Sequence, residues 1–567
     1  GEVSMTFTIR AWARLALVLL ATGIFVSADA SAKDRSDREN NKRVSRDAQD
    51  DDDDDDDEDE DEDEGEKDER RGKNRRKGEK QNASGSGRIV LPNLSASFAT
   101  EEQRQLGLLL GKALYWDEQI GSGNGGNYAC ASCHYSAGAD AQKDRIISGT
   151  IPAGKSTGPN TIRGSLGVRY AQFVALKMEE VSGQEVSAAV EIFTKPGDYL
   201  ITDRNAPSAV DSNSIHNFWD GRANYVFNGV GTSGEPIPIP TKNGGFSILQ
   251  IAEASQASQA VGPCLSPAEM SSDGRTFADI GYKIRHAIPL RNQSGNVVDE
   301  LAEMGLRYPG GYGELIDAVF EGGPLDSFLS DEPTSITTPV QNTGGQIEDR
   351  LVSISELNFS IFFGVAVAVY EQSLVTIPAK YPTSKQIDAF EKMRCEKCHY
   401  VDGRSHAVIG DVGSTPFSAT GVAPLRVDAG VEIDDLNLDA EVPNYDADPG
   451  EGQFKSTHLF NLPLTGPYFH DGSAETLEEM MDFYVRGGDF NQKNIHSHVR
   501  ELDVSKKEYR LVLKLMKQLT DPRIEAGEPP FDHPSLTIPL HDGREVYLAP
   551  SDAGHGGLHY TVHSAGE

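Results

Sequence analysis

Cysteine is scarce in this sequence. There are five in 567 residues, and four of them form two copies of one pentapeptide, CASCH from Cys130 and CEKCH from Cys395. Neither copy has the further Cys or His ligands at short spacing that a zinc site needs, which argues against structural zinc. Positive charge is also in deficit, with a formal net charge of -35. Much of that comes from one run of 15 carboxylates, Asp50–Glu64, without which the remainder carries -20. An acidic globular part repels phosphates, so nucleic acid is excluded as a partner. Beyond the first 32 residues no stretch reads as a transmembrane span, and no short-period repeat is present.

The start has the pattern of an export signal: Arg10 and Arg14, an apolar run Leu15–Val26, and small residues ending at Ala30-Ser31-Ala32. The run is too short to favour a spanning helix. Residues 1–32 are therefore read as a signal peptide, and the mature protein as periplasmic or otherwise exported. Residues 33–87 hold the acidic run and a basic patch, RRGKNRRKGEK. Like charges cannot bury apolar surface and repel one another, so this stretch reads as a disordered low-complexity tail.

Export sharpens the meaning of the pentapeptide. Outside the cytoplasm a bare CxxC pair tends to oxidise or serve in exchange. A CxxC followed at once by His has another use there: the thiols add to the haem vinyl groups and the His becomes the proximal iron ligand. A dithiol redox motif would require neither His134 nor His399. The sequence thus predicts two covalent haem c groups, on Cys130, Cys133 and His134, and on Cys395, Cys398 and His399.

Around these motifs the chain reads as mainly α, with two cytochrome c-like helical domains and long irregular insertions. Thr100, Glu101 and Glu102 mark a helix start, with Leu106, Leu108–Leu110 and Leu114 as its apolar face. Residues 145–350 are rich in Gly, Ser, Pro and Asn. SISELNFSIFFGVAVAVYEQSLV reads as a buried helix, and AETLEEMMDFYVRGG and DVSKKEYRLVLKLMKQLTD as amphipathic ones. The expected boundaries are 88–375 for a first, peroxidatic haem domain, 376–548 for a second, electron-transfer haem domain, and 549–567 for a tail.

The neighbourhoods of the two motifs resemble the bacterial di-haem cytochrome c peroxidase/MauG family. The strings that carry the resemblance, in the family's order, are LGKALYWDEQI, RNAPSAVDSNSIHNFWDGR, LSPAEM and LTGPYFHDGSAETLEEMMDFYVRGG. They cover much of the two ends of residues 105–520, with a poorly matched middle. The resemblance implies a role for several residues. Tyr484 falls where the peroxidases place a second-haem Met and where the MauG branch has Tyr. A phenolate, being a hard anionic donor, favours ferric and higher-valent iron. Met480 or Met481, one turn away, are the alternative ligands. Glu269 matches the catalytic glutamate that moves a proton during peroxide cleavage; otherwise it is a helix-capping surface residue. Trp219 matches the tryptophan between the haems, as an electron relay or simply a packed ring. Asn205 and the carbonyls of Thr465 and Pro467 match a calcium site.

The sequence departs from the family at three places. No His occurs between Tyr135 and Asn160, where ordinary peroxidases carry a removable distal ligand. Gly229 replaces a pocket Gln, and Phe460 replaces an Arg. The expected activity is reduction of hydrogen peroxide with electrons from a small donor protein, a cytochrome c or a copper protein. The missing His and Tyr484 favour a MauG-like oxidation of a protein or organic substrate. His134 and His399 lie 265 residues apart, a spacing closer to the di-haem rubber oxygenases, which use dioxygen. A non-catalytic electron carrier is the other rival, and a homodimer is in keeping with the resemblance.

Overall fold

The structure is a computed structural model. It describes residues 87–563 apart from 123–127, 143–163, 181–186, 203, 215–216, 305–310, 343, 402–407, 410–416, 419–453, 490–494, 541–543 and 552–559. The expected signal peptide and nearly all of the charged tail lie outside the described residues. Ser84–Glu567 forms one compact unit.

The first helix, α1 (Glu101–Trp116), begins where the sequence predicts. The Thr100 hydroxyl accepts from the Gln103 amide at 3.1 Å, and Glu101 and Glu102 occupy the positive first turn. Its Leu106, Leu110 and Leu114 are buried against α4 (Phe359–Ser373). Between them in sequence, α2 (Phe277–Arg285) starts at a Thr276/Asp279 capping box, and α3 (Gly311–Phe320) packs on both α1 and α2. Almost every side chain of α4 is buried, as expected of a helix that is apolar all round. At about 22 Å it is shorter than a bilayer's hydrocarbon core. Among the described residues no helix is long and apolar enough to cross a membrane.

Strands accompany the helices, so the mainly α expectation covers only part of the architecture. β1 (Gly87–Leu91) pairs in parallel with β5 (Phe246–Ile251), which pairs antiparallel with β4 (Pro238–Pro240). A four-stranded sheet is built from the residues expected to be irregular, in the order β3 (Ser187–Phe193), β2 (Phe173–Glu180), β6 (Pro333–Gln341), β7 (Ile347–Ser353). Glu191 on β3 ties this sheet to α2. Its carboxylate lies 2.7 Å from the Arg275 guanidinium and 2.8 Å from the Lys283 ammonium, and all three groups are sealed from water.

A second core gathers Phe390, Leu462, Met481, Val512 and Leu519. It joins α5 (Ser384–Lys392), α6 (Leu477–Arg486) and α7 (Lys506–Gln518), the last two lying within the predicted amphipathic stretches. Each begins at a capping box, Thr476/Glu479 and Ser505/Glu508. The chain then returns to the first core. β8 (Leu536–Pro539) packs beside the Cys130–Ser132 turn, pairs with β9 (Glu545–Leu548), and β9 pairs with β10 (Tyr560–His563). Asp532 forms a buried ion pair with Lys112 of α1 at 2.5 Å.

Candidate functional site

The first pentapeptide forms a single 3-10 turn, Cys130–Ser132, that delivers His134 to a loop closed by a bridge between Ser136 and Ala139. His134 Nδ1 lies 2.7 Å from the Gly138 carbonyl. Donation from that nitrogen fixes the tautomer and leaves Nε2 with its lone pair, the orientation found in metal-bound imidazoles. The loop requires a glycine: Gly138 has φ +77°, and a Cβ there would sit 2.6 Å from the Val210 amide nitrogen. Burial pulls His134 below its ordinary pKa, so the ring is neutral. None of the four thiols of the two motifs is in a disulfide.

Glu269 stands on a tight turn. Its amide donates to the Ser266 carbonyl at 3.0 Å, and its carbonyl accepts from Val168 at 3.0 Å. Burial pushes its carboxyl above the ordinary range, against a hydrogen bond from Ser266 and the charge of Arg222. Cys264, five residues before Glu269, is buried with its Sγ 3.7 Å from the Ala260 carbonyl. Its thiol is buried and raised to about 12, so it behaves as a small hydrophobe and not a reactive group. Arg275 spans the turn's two ends, donating to the carbonyls of Cys264 at 2.8 Å and Met270 at 3.3 Å. Gly229, where the family has Gln, has φ +85° and is walled by Ile239, Leu249 and Ile361, which leaves no room for a longer side chain.

The second pentapeptide opens on a cavity holding about 1820 Å³ of atom-free space, part of it open to solvent. Cys395, Cys398, His399 and Tyr484 all line it, as do Trp219, Asn205, Thr465 and Pro467. The cavity thus brings together eight of the residues singled out by sequence. His399 Nδ1 is buried without a hydrogen bond of normal length among the described residues. Burial lowers this imidazole to about 4, a shift the Thr457 backbone only partly offsets. A neutral ring with an unsatisfied nitrogen, lining one cavity with two cysteines that form no disulfide, fits a covalently held haem.

Tyr484 packs edge-on against Phe483 and Phe469, with centroids 5.2 and 6.0 Å apart. Burial raises its phenol, and the nearby Cys398 and Cys395 add to that. Met480 and Met481 reach the same cavity wall, so all three candidate ligands arrive there. Trp219 donates from Nε1 to the Asn205 carbonyl at 2.7 Å and meets the His470 ring edge-on at 6.4 Å. Asn205 in turn donates from Nδ2 to the Pro467 carbonyl at 2.8 Å. The calcium expected there would need this amide turned so that its oxygen faces the ion. The cavity also exposes a residue that sequence reasoning passed over: His498, whose Nδ1 is buried without a partner among the described residues. Its only signal was the tripeptide His496-Ser497-His498.

Residues 106–326 match the family described as di-haem cytochrome c peroxidase. This segment is similar to that family. The match includes the first pentapeptide, Trp219 and Glu269, and stops short of the second pentapeptide. The methylamine utilization protein MauG of Methylorubrum extorquens is 30% identical over 66 residues, 12% of this chain and 18% of that protein, so the chain matches about a fifth of this relative's length. Among solved structures, a MauG-like protein associated with microbial copper homeostasis is similar at 18% identity and a TM-score of 0.39, covering 78% of this chain and 95% of that one. The diheme peroxidase BthA from Burkholderia thailandensis is similar at 13% identity and a TM-score of 0.40, covering 79% and 93%. The family is one of haem oxidoreductases.

Proposed function

We propose that this protein is an exported di-haem c-type oxidoreductase that reduces hydrogen peroxide. The observation that carries the reading is the cavity where Cys395, Cys398, His399, Tyr484 and Trp219 meet. The haems, when bound, supply the iron that accepts and stores electrons. His134 and His399 would ligate their iron, and the four thiols would anchor them. Glu269, whose buried carboxyl holds a proton more tightly than an ordinary one, would in its ionised form take a proton from one peroxide oxygen and give it to the other. Trp219 stands at the wall of the second site and passes electrons between the two. Tyr484 would serve the second centre as a phenolate ligand. Asn205, with its amide turned, and the carbonyls of Thr465 and Pro467 would hold a calcium. Electrons arrive from a small cytochrome or copper protein, or from an oxidisable protein or organic substrate.

The spacing of 265 residues between His134 and His399 favours a second reading, oxygenation of an organic substrate with dioxygen. Steady-state assays on the holoprotein separate the two. Peroxide consumption with a reduced small c-type cytochrome is expected. Glu269→Gln should slow it by about 10²–10⁴-fold at unchanged haem content, the usual range for losing a general acid-base group. Dioxygen uptake with an organic substrate, and no peroxide turnover, would replace the peroxidase reading.

A further inference from the structure

A string of buried aromatic rings leads away from the backbone of His134. The Tyr115 hydroxyl donates to the His134 carbonyl at 3.2 Å. The Tyr115 ring meets Tyr370 edge-on at 5.3 Å. Trp116 donates from Nε1 to the Tyr370 oxygen at 3.1 Å, and its indole stacks on His533 at 4.7 Å with planes 15° apart. All four side chains are buried. Trp116 and Tyr370 are distinct from Trp219, which stands on the wall of the second site.

We infer that Trp116 is a one-electron donor to the His134 site, reached through Tyr370 and Tyr115. The inference rests on the peroxidase reading above. Hydrogen peroxide, the oxidant, takes two electrons and two solvent protons in becoming two waters; the two centres would supply one electron each, and the indole of Trp116 then returns one electron to the His134 site. No bond in the relay forms or breaks. A tyrosine would have to release its phenol proton on oxidation, and Tyr115 offers that proton only to a peptide carbonyl, a poor acceptor. Trp116 can lose an electron and keep its Nε1 proton, because the Tyr370 oxygen already receives that hydrogen bond. The neutral His533 ring, held below its ordinary pKa by burial, stacks face to face and places no positive charge against the oxidised indole. Packing alone would explain why these rings touch. It would not explain a radical that follows one of them.

The test is rapid-freeze EPR on the holoprotein after one equivalent of hydrogen peroxide, with ring-deuterated tryptophan in parallel. The sequence has only three tryptophans, and Trp12 lies in the expected signal peptide. The expected result is an organic radical that narrows on deuteration, disappears in Trp116→Phe and survives in Trp219→Phe. Tyr370→Phe keeps the ring but removes the oxygen that accepts the indole proton, so the radical should remain with changed proton couplings. That variant decides the matter if Trp116→Phe does not fold: unchanged couplings overturn the proposal. Decay of the ferric haem signals with no tryptophan radical, or with one unaffected by Trp116→Phe, also overturns it and leaves the peroxidase reading standing. Ferric signals that never respond to peroxide overturn both.

Discussion

Replacing Glu191 with Gln tests how the structure holds its first site together. The Glu191 carboxylate is the only anion the described residues place between Arg275 and Lys283, and all three side chains are almost fully buried. Burial would raise its pKa, yet the two cations and the Ser122 and Lys283 hydrogen bonds hold it at about 2 instead of the ordinary 4.5. At 1.36 kcal/mol per pKa unit, that difference corresponds to about 3 kcal/mol of stability. It agrees with the ~3–5 kcal/mol usually lost when one partner of a buried pair is removed. Arg275 also grips the carbonyls of Cys264 and Met270, so the loss extends to the turn that presents Glu269. The assay is equilibrium denaturation followed by circular dichroism, with peroxide kinetics alongside. Glu191→Gln should lose about 3 kcal/mol and slow the peroxide reaction, while a Met at both cation positions beside a Leu at 191 should recover much of the stability. The sign with pH is fixed: a depressed carboxylate stabilises fully above its unfolded pKa, and this contribution fades as pH falls from about 4.5 toward 2. A loss under about 1 kcal/mol, the size of a surface pair, would refute the reasoning.

Three further outcomes are expected. Tyr484→Met should raise the reduction potential of one haem in a potentiometric titration, since a thioether favours ferrous iron; an unchanged potential would point to Met480 or Met481 as the ligand. Cys395→Ala with Cys398→Ala should lower the covalent haem count by one in intact-mass analysis while leaving the first haem in place. Glu371, which burial alone lifts to about 8, is protonated at neutral pH. A raised carboxyl costs stability as pH climbs from its unfolded value through its folded one. Wild type should therefore weaken between about pH 4.5 and 8, and Glu371→Gln should flatten that slope in pH-dependent melts; parallel curves would contradict it.

What the sequence made legible was local. Thr100 announced a helix start because caps act within one turn, the spacing of apolar residues announced the helices that follow Thr476 and Ser505, and the two pentapeptides announced attachment sites because five adjacent residues carry the chemistry. That Trp219, Tyr484 and His399 would meet came from the family resemblance, since they lie far apart in the chain. The sheet linking Phe173–Glu180 to Pro333–Gln341 was invisible in a segment rich in turn residues. So was the ion triad, which joins Glu191 to Arg275 and Lys283 across long separations. The return of Asp532 and His533 onto α1 left no periodic signal either. Each of these is set by tertiary packing, which hydrophobic spacing within one element does not encode.

The measurement that bears most directly on the central claim is addition of stoichiometric hydrogen peroxide to the as-isolated diferric protein, with the optical and EPR signals of both haems followed together. Prompt loss of both ferric signals before any reductant is supplied is the expected result. It would mean that the His134 site is open and is coupled to a tyrosinate-held second centre. If neither signal moves until one haem is reduced, a distal ligand closes the first site and Tyr484 does not have the role proposed for it.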